Sequence, residues 1–128
     1  MSQAEADKKL RRAQSQLSRV QTAIWEPEDR EEAVTWAFYA YENGVVAVAE
    51  KANMKWKKTH WDKLDIADQI RSNGYVPVNV RDRLDELNEL RKDVQYDEPG
   101  PDLAALDLED LATELEEFLG YVETFVKS

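Results

Sequence analysis

The chain has 128 residues, 42% of them hydrophobic, no cysteine and a net charge of 17 − 27 = −10. That size and apolar share suit one core and a single domain over 1–128, and the missing thiols exclude disulfides, thiolate zinc sites and cysteine nucleophiles. A field of this sign opposes general nucleic-acid binding, where affinity comes from cations displacing the counterions of phosphate, so any RNA contact has to be local. The polar start has no basic-then-apolar leader pattern, and the most apolar stretch, 33–49, is short and interrupted by Thr35, Glu42 and Asn43. A cytoplasmic protein with no membrane association is expected.

Apolar spacing near 3.6 runs through almost every segment, and period-two alternation is nearly absent, which predicts an all-α fold. Short loops between amphipathic helices favour an antiparallel, up-down bundle of about five helices. The first opens at the capping box Ser2-x-x-Glu5, carries Leu10, Ala13, Leu17, Val20 and Ile24 on one side, and stops at Pro27. Lys8, Lys9, Arg11 and Arg12 read as its solvated outer face. Pro27, Glu28 and Asp29 are expected to open the second helix, because proline suits the first helical position and acids suit the positive end of the dipole.

That second helix is apolar on most sides, with Ala33, Trp36, Ala37, Ala40, Tyr41, Gly44, Val45 and Val48 on one face and Phe38, Val46 and Ala49 on another. This predicts a central position, with Gly44 permitting a close helix contact. The third helix opens at a second capping pattern, Thr59-x-x-Asp62, and ends at Ser72-Asn73-Gly74. The fourth begins at Asn79. After Glu98-Pro99-Gly100-Pro101, within a loop expected to run exposed from Tyr96 to Leu106, the fifth repeats Leu108, Leu111, Leu115, Phe118, Val122 and Phe125 at three-four spacing. That seam could face inward or face a second copy.

The fourth helix holds the least expected residue. Its ladder Val80, Leu84, Leu87, Arg91, Val94 places a guanidinium in phase with apolar side chains, and a guanidinium stays charged at any ordinary pH. Burying it calls for a partner acid, a bound anion or a second protein surface. On a helical wheel Asn88 and Gln95 lie a turn either side of Arg91, making a polar strip able to orient a phosphate or carboxylate. Glu42 and Asn43, which interrupt the second helix, are the candidate internal partners.

The strings Ala33-Val34-Thr35-Trp36-Ala37-Phe38-Tyr39-Ala40-Tyr41-Glu42-Asn43, Lys58-Thr59-His60 and Arg91-Lys92-Asp93-Val94-Gln95-Tyr96 together resemble the HEPN family of helical bundles, over the second to fourth helices. The resemblance implies an aromatic-rich second helix, a Thr-His pair opening the next, and an Arg-x4-His motif late in the bundle, replaced in one subgroup by Arg-x4-Tyr. The motif arginine falls on Arg91 and its tyrosine terminus on Tyr96, while the family histidine is missing. In nuclease members, arginine and histidine from two subunits meet across a dimer interface and cleave RNA without metal. A homodimer, a partner protein or RNA, and a toxin-antitoxin or defence setting are what the resemblance implies.

His60 is the only histidine, so one chain cannot build a histidine pair for metal binding or acid-base catalysis. It has the ordinary chemistry of a general acid or base, but its place in the Thr59-x-x-Asp62 turn also suits capping. Tyr96 could donate a proton to a leaving group and is a poor base. Between Lys51 and Lys63, five lysines face one acid, 5 − 1 = +4. There Lys55, Trp56, Lys57, Lys58 and Trp61 interleave cations with rings, as binders of single-stranded nucleic acid do. From Asp97 to Ser128 ten acids face one lysine, 1 − 10 = −9, without the spacing of a calcium loop or a carboxylate-histidine site. No metal site and no cofactor are expected, and no glycine-rich phosphate loop or serine-hydrolase elbow is present.

Three functions follow as expectations. The first is a HEPN-like interaction domain, non-catalytic, that binds a partner protein or RNA. The second is a metal-independent ribonuclease using Arg91 with Tyr96 or His60. The third is an acidic adaptor or nucleic-acid mimic acting through the last helix.

Overall fold

The computed structural model describes residues 3–25, 27–95 and 101–128, leaving the side chains of Gln95 and Pro101 undescribed. Among the described residues all regular structure is helical. The order is α1 (Gln3–Ala23), α2 (Arg30–Lys51), α3 (His60–Ser72), α4 (Arg81–Gln95), α5 (Pro101–Ala105) and α6 (Leu108–Val126). The expected all-α bundle is present, with one short helix beyond the five long ones that periodicity predicts.

That extra element corrects the expectation of a long exposed loop before α6. Leu103 of α5 is buried in the core, and Arg30 Nη1 donates to the carbonyls of Leu103 and Leu106 at 3.1 and 2.6 Å. A guanidinium from the start of α2 therefore takes up carbonyls that a short helix cannot satisfy within itself. The start of α2 also differs from expectation. Asp29 is the N-cap, accepting from the Glu32 amide at 3.0 Å, so the helix proper begins after Pro27 and Glu28.

The Ser2 cap expected for α1 lies outside the described residues. α4 begins at Arg81, just after the expected Asn79, whose Oδ1 accepts from the Arg81 amide at 3.0 Å. The ends of α3 follow the sequence closely. Thr59 caps α3 by accepting from the Asp62 amide at 3.2 Å, and Asp62 in turn reaches beyond Thr59 to the Lys57 amide. α3 ends in a Schellman turn, Gly74 N–H to Arg71 and Tyr75 N–H to Ile70, with Gly74 at φ 76°. The same turn ends α2 with asparagine in the left-handed position, since Asn53 has φ 58° and Met54 N–H reaches the Ala49 carbonyl.

α2 touches α1, α3, α4 and α6 and buries thirteen of its twenty-two residues, as its many-sided apolar pattern requires. α6 comes close at Gly44, where a Cβ would stand 2.7 Å from Phe118 Cε2 and 3.0 Å from Leu119 Cδ2 of α6. One turn away, the Tyr41 and Phe118 rings stack at 5.4 Å. Leu108, Leu111, Leu115, Phe118 and Val122 of the α6 seam are buried against the core, while Phe125 lies half-buried on Tyr75 at 4.8 Å. The seam faces inward. Side-chain bonds from α1 close its edge, Gln21 to Glu116 at 2.8 Å and Gln14 to Glu123.

Filling the Gly44 contact should cost stability. Gly44→Leu is expected to lower unfolding free energy by about 1–3 kcal/mol, read as a lower urea midpoint with unchanged helical circular dichroism. Burial, then the Glu114 and Asp110 carboxylates, push the Tyr41 phenol above its ordinary range against the pull of Arg83. A phenol raised in the folded state stabilises below the unfolded value and loses that contribution as pH climbs past it, here from about 10 upward. Alkaline unfolding of wild type should therefore begin at lower pH than that of Tyr41→Phe.

Candidate functional site: an arginine and a histidine on one aromatic ring

α4 carries two arginines on its inner side, and they are treated differently. Arg83, with a side chain only 19% exposed, bonds Glu114 through Nε and Nη2 at 2.9 and 2.6 Å and Glu86 through Nη1 at 2.7 Å. Burial alone would lower its pKa, yet the bonds to Glu114 and Glu86 outweigh that and raise it. Its charge is fully answered, and it ties α4 to α6.

Arg91, half-buried two turns further on, has no such partner. Among the described residues no carboxylate forms an ion pair with it; Nη2 donates to buried Asn88 Oδ1 at 3.1 Å, and Nε is buried without a hydrogen bond. The guanidinium centre instead lies 4.7 Å from the centroid of the Phe38 ring on α2, a cation-π contact. The internal partners expected from sequence are committed elsewhere. Glu42 pairs with Lys63 at 3.3 Å, both side chains largely buried at 13% and 15% exposure, and Asn43 donates to Gln16 of α1 at 2.9 Å. Each polar interruption of α2 thus answers a different neighbouring helix. Tyr96 and the Gln95 side chain lie outside the described residues.

The fold also brings His60 to Phe38, with ring centroids 6.2 Å apart. His60 Nε2 stands 3.2 Å from Asp85 Oδ1 of α4, and Nδ1 is buried without a partner. Nδ1 is turned into the protein, whichever ring nitrogen carries the proton. Arg91, His60, Asn88 and Asp85 therefore assemble on one aromatic centre contributed by α2. The Arg91–Asn88 bond lies within α4 and follows from spacing, whereas the contacts of Arg91 and His60 with Phe38 and of His60 with Asp85 join separate helices and could not be read from it.

Phe38 belongs to a longer row of rings. Trp36 meets Tyr39 at 6.2 Å, Tyr39 meets Phe38 at 5.4 Å, and past His60 the row reaches Trp61 at 6.0 Å. Phe38 is buried, Trp36 and His60 are half-buried, and Tyr39 and Trp61 are 37% and 73% exposed. The Arg19 guanidinium covers Trp36 at 4.5 Å as Arg91 covers Phe38.

The basic loop divides into two parts. Lys55, Lys57, Lys58 and Trp61 are exposed, and the Asp62 bond to the Lys57 amide holds the loop against the start of α3. Trp56 is a half-buried anchor and not a free stacking surface. Its Nε1 donates to Glu50 Oε1 at 2.8 Å, and Lys9 of α1 lies 5.8 Å from its ring. Lys51 reaches Gln3 at 2.7 Å and the Ser128 carbonyl at 3.0 Å, so it fastens chain ends together. Among the described residues no cluster of three or more histidine, aspartate or glutamate side chains could hold a metal ion.

Removing each α4 arginine separates the two roles. Arg83→Ala removes a largely buried side chain and the network it makes with exposed carboxylates, and should cost about 1–2 kcal/mol. Arg91→Ala strands no acid and should lose only about 0.5–1 kcal/mol of ring contact. Urea unfolding of both variants measures this, and an equal loss for Arg91→Ala would make it a structural residue like Arg83. No protein-family model, no curated protein and no solved structure matches this chain, so the HEPN resemblance rests on the quoted residues alone.

Proposed function

We propose that this chain is a HEPN-like helical interaction domain, without catalysis of its own, that binds RNA through the α3–α4 face. The observation that carries this reading is that, among the described residues, Arg91 pairs with no carboxylate: its guanidinium centre lies 4.7 Å from the Phe38 centroid and it is steadied by Asn88, while Arg83 on the same helix is saturated with carboxylates. A planar guanidinium with unused donors suits a phosphate, which its fork can grip in two places. Exposed Tyr39 and Trp61 offer ring faces for unpaired bases, and Lys57 and Lys58 beside them supply further cations. Such domains, by the resemblance, work in toxin-antitoxin or defence-type systems, as homodimers or beside a partner protein. No described helix is long and apolar enough to cross a membrane.

The inward-facing Nδ1 of His60 supports the non-catalytic form, since a general base must reach its proton and the outer nitrogen is engaged by Asp85. One observation favours the ribonuclease reading instead: His60 and Arg91 converge on Phe38, so a ring flip at His60 would bring an acceptor and a phosphate-binding cation to one place. The acidic-adaptor reading has thinner support, because Glu114, Glu116 and Glu123 of α6 are spent on Arg83, Gln21 and Gln14.

Fluorescence anisotropy with a labelled single-stranded RNA at low salt tests the proposal. Wild type should bind, Arg91→Ala should bind about tenfold more weakly, a loss of about 1.4 kcal/mol, and Arg91→Lys should fail to restore affinity because the fork is lost. RNA cleavage that survives EDTA and disappears in Arg91→Ala would replace this reading with the ribonuclease. Absence of RNA binding by wild type would refute it.

A further inference from the structure

On α1, cations that sequence alone treats as ordinary solvated charge lie along one side of the helix. At roughly 100° per residue, Lys8, Arg12 and Arg19 fall within about 40° of one another, and Lys9 borders them. The stripe from Lys8 to Arg19 is roughly 16 Å long at the helical rise. Arg11 turns away, lining a groove with Gln14 and Lys127 on the α6 side. Lys8, Arg12 and Arg19 are exposed, and none of the ion pairs among the described residues includes them.

Both ends of this stripe meet the aromatic surface. Arg19 lies over Trp36, where the row of rings begins, and Lys9 lies over Trp56 at the root of the basic loop. The fold therefore joins two basic segments, some fifty positions apart in sequence, into one face. Burial, followed by repulsion from Arg12, Lys63 and Lys8, holds the Lys9 ammonium below the usual lysine range. Cations outnumber acids here, Glu5 only partly offsetting the repulsion at Lys9 and Asp29 and Glu32 lining the groove beside Arg19, in a protein whose net charge is −10. An anion of extended, repeating charge would supply what is missing.

We propose that Lys8, Arg12 and Arg19 of α1 form a phosphate track for a single strand of RNA whose bases lie on the exposed rings of the Tyr39–Trp61 row. This inference rests on the RNA reading above and adds a second line of contact to it. The strand is single because a duplex keeps its base faces stacked internally and leaves exposed rings nothing to cover. Arg19, whose guanidinium centre lies 4.5 Å from the Trp36 centroid and which forms no ion pair among the described residues, joins the two lines beside a groove that Asp29 and Glu32 also line.

The test compares two charge-matched double variants, Lys8→Glu with Arg12→Glu and Arg11→Glu with Lys127→Glu. Each moves the net charge from −10 by −4, to −14, so a general field effect strikes both alike. Helical circular dichroism and melting confirm that each is folded. Anisotropy titrations with single-stranded RNA over a range of salt give the slope of log affinity against log salt. Loss of two phosphate contacts should flatten that slope by about 1.4, at about 0.7 per contact on a single strand, in the Lys8 and Arg12 pair only. An unchanged slope in that pair, or equal flattening in both pairs, overturns the track. Competition by polyglutamate or phosphatidylserine vesicles as effective as RNA at equal charge overturns the assignment to a nucleic-acid strand. Wild-type protein that binds no RNA overturns both proposals, whereas binding that is sensitive to Arg91→Ala but keeps its salt slope overturns the track alone.

Discussion

The close seating of α2 on α6 at Gly44 is the constraint from which the rest follows. A helix that contacts four others has little room for large side chains on all sides, and here the missing Cβ lets the Phe118 ring edge come almost to the α2 backbone. With α6 drawn in on one side, α2 turns Trp36 toward α1 and Phe38 toward α3 and α4, with Tyr39 touching both rings. The aromatic surface is thus a by-product of how the core is closed. Moving α2 outward by even a fraction of a side chain would carry Phe38 away from both Arg91 and His60.

Charge is used in two ways in the same bundle. Where a cation joins helices, it is matched: Arg83 to Glu114, Lys63 to Glu42, Arg30 to carbonyls near α5. Cations without an ion pair among the described residues lie along α1, on the α2–α3 loop and at Arg91 of α4. Partly buried pairs of the first kind hold position because separating them strands a charge. Exposed cations of the second kind add little to stability, so their arrangement is free to serve something outside the chain.

Much of the fold was legible in the sequence because apolar periodicity and helix-end chemistry are local. Thr59 capping α3, Gly74 ending it and Gly44 at a close contact all follow from residue type and spacing. The start of α2 was displaced because Asp29 competes with Pro27 for the helix boundary, and a side chain accepting from the third amide wins over a proline that only tolerates the position. α5 was missed because so short a helix has no period to detect; it is held by Arg30, a long-range contact. At the site, Arg91 stood out as a charge in phase with leucines. Arg83 did not stand out, since nothing in its spacing foretells the α6 carboxylates. The side of α1 facing Trp56 and Trp36 could not be known before the helices were packed, and so its stripe looked like ordinary surface.

The left-handed turn at Asn53 and the clasp between Asp62 and the Lys57 amide fix the basic loop at both ends. A loop fastened this way has already surrendered most of its backbone freedom during folding, so a ligand need not freeze it afterwards. Recognition on such a surface is a matter of rigid encounter. Association should then be quick and governed by long-range attraction, while selectivity comes from shape that exists before the ligand arrives.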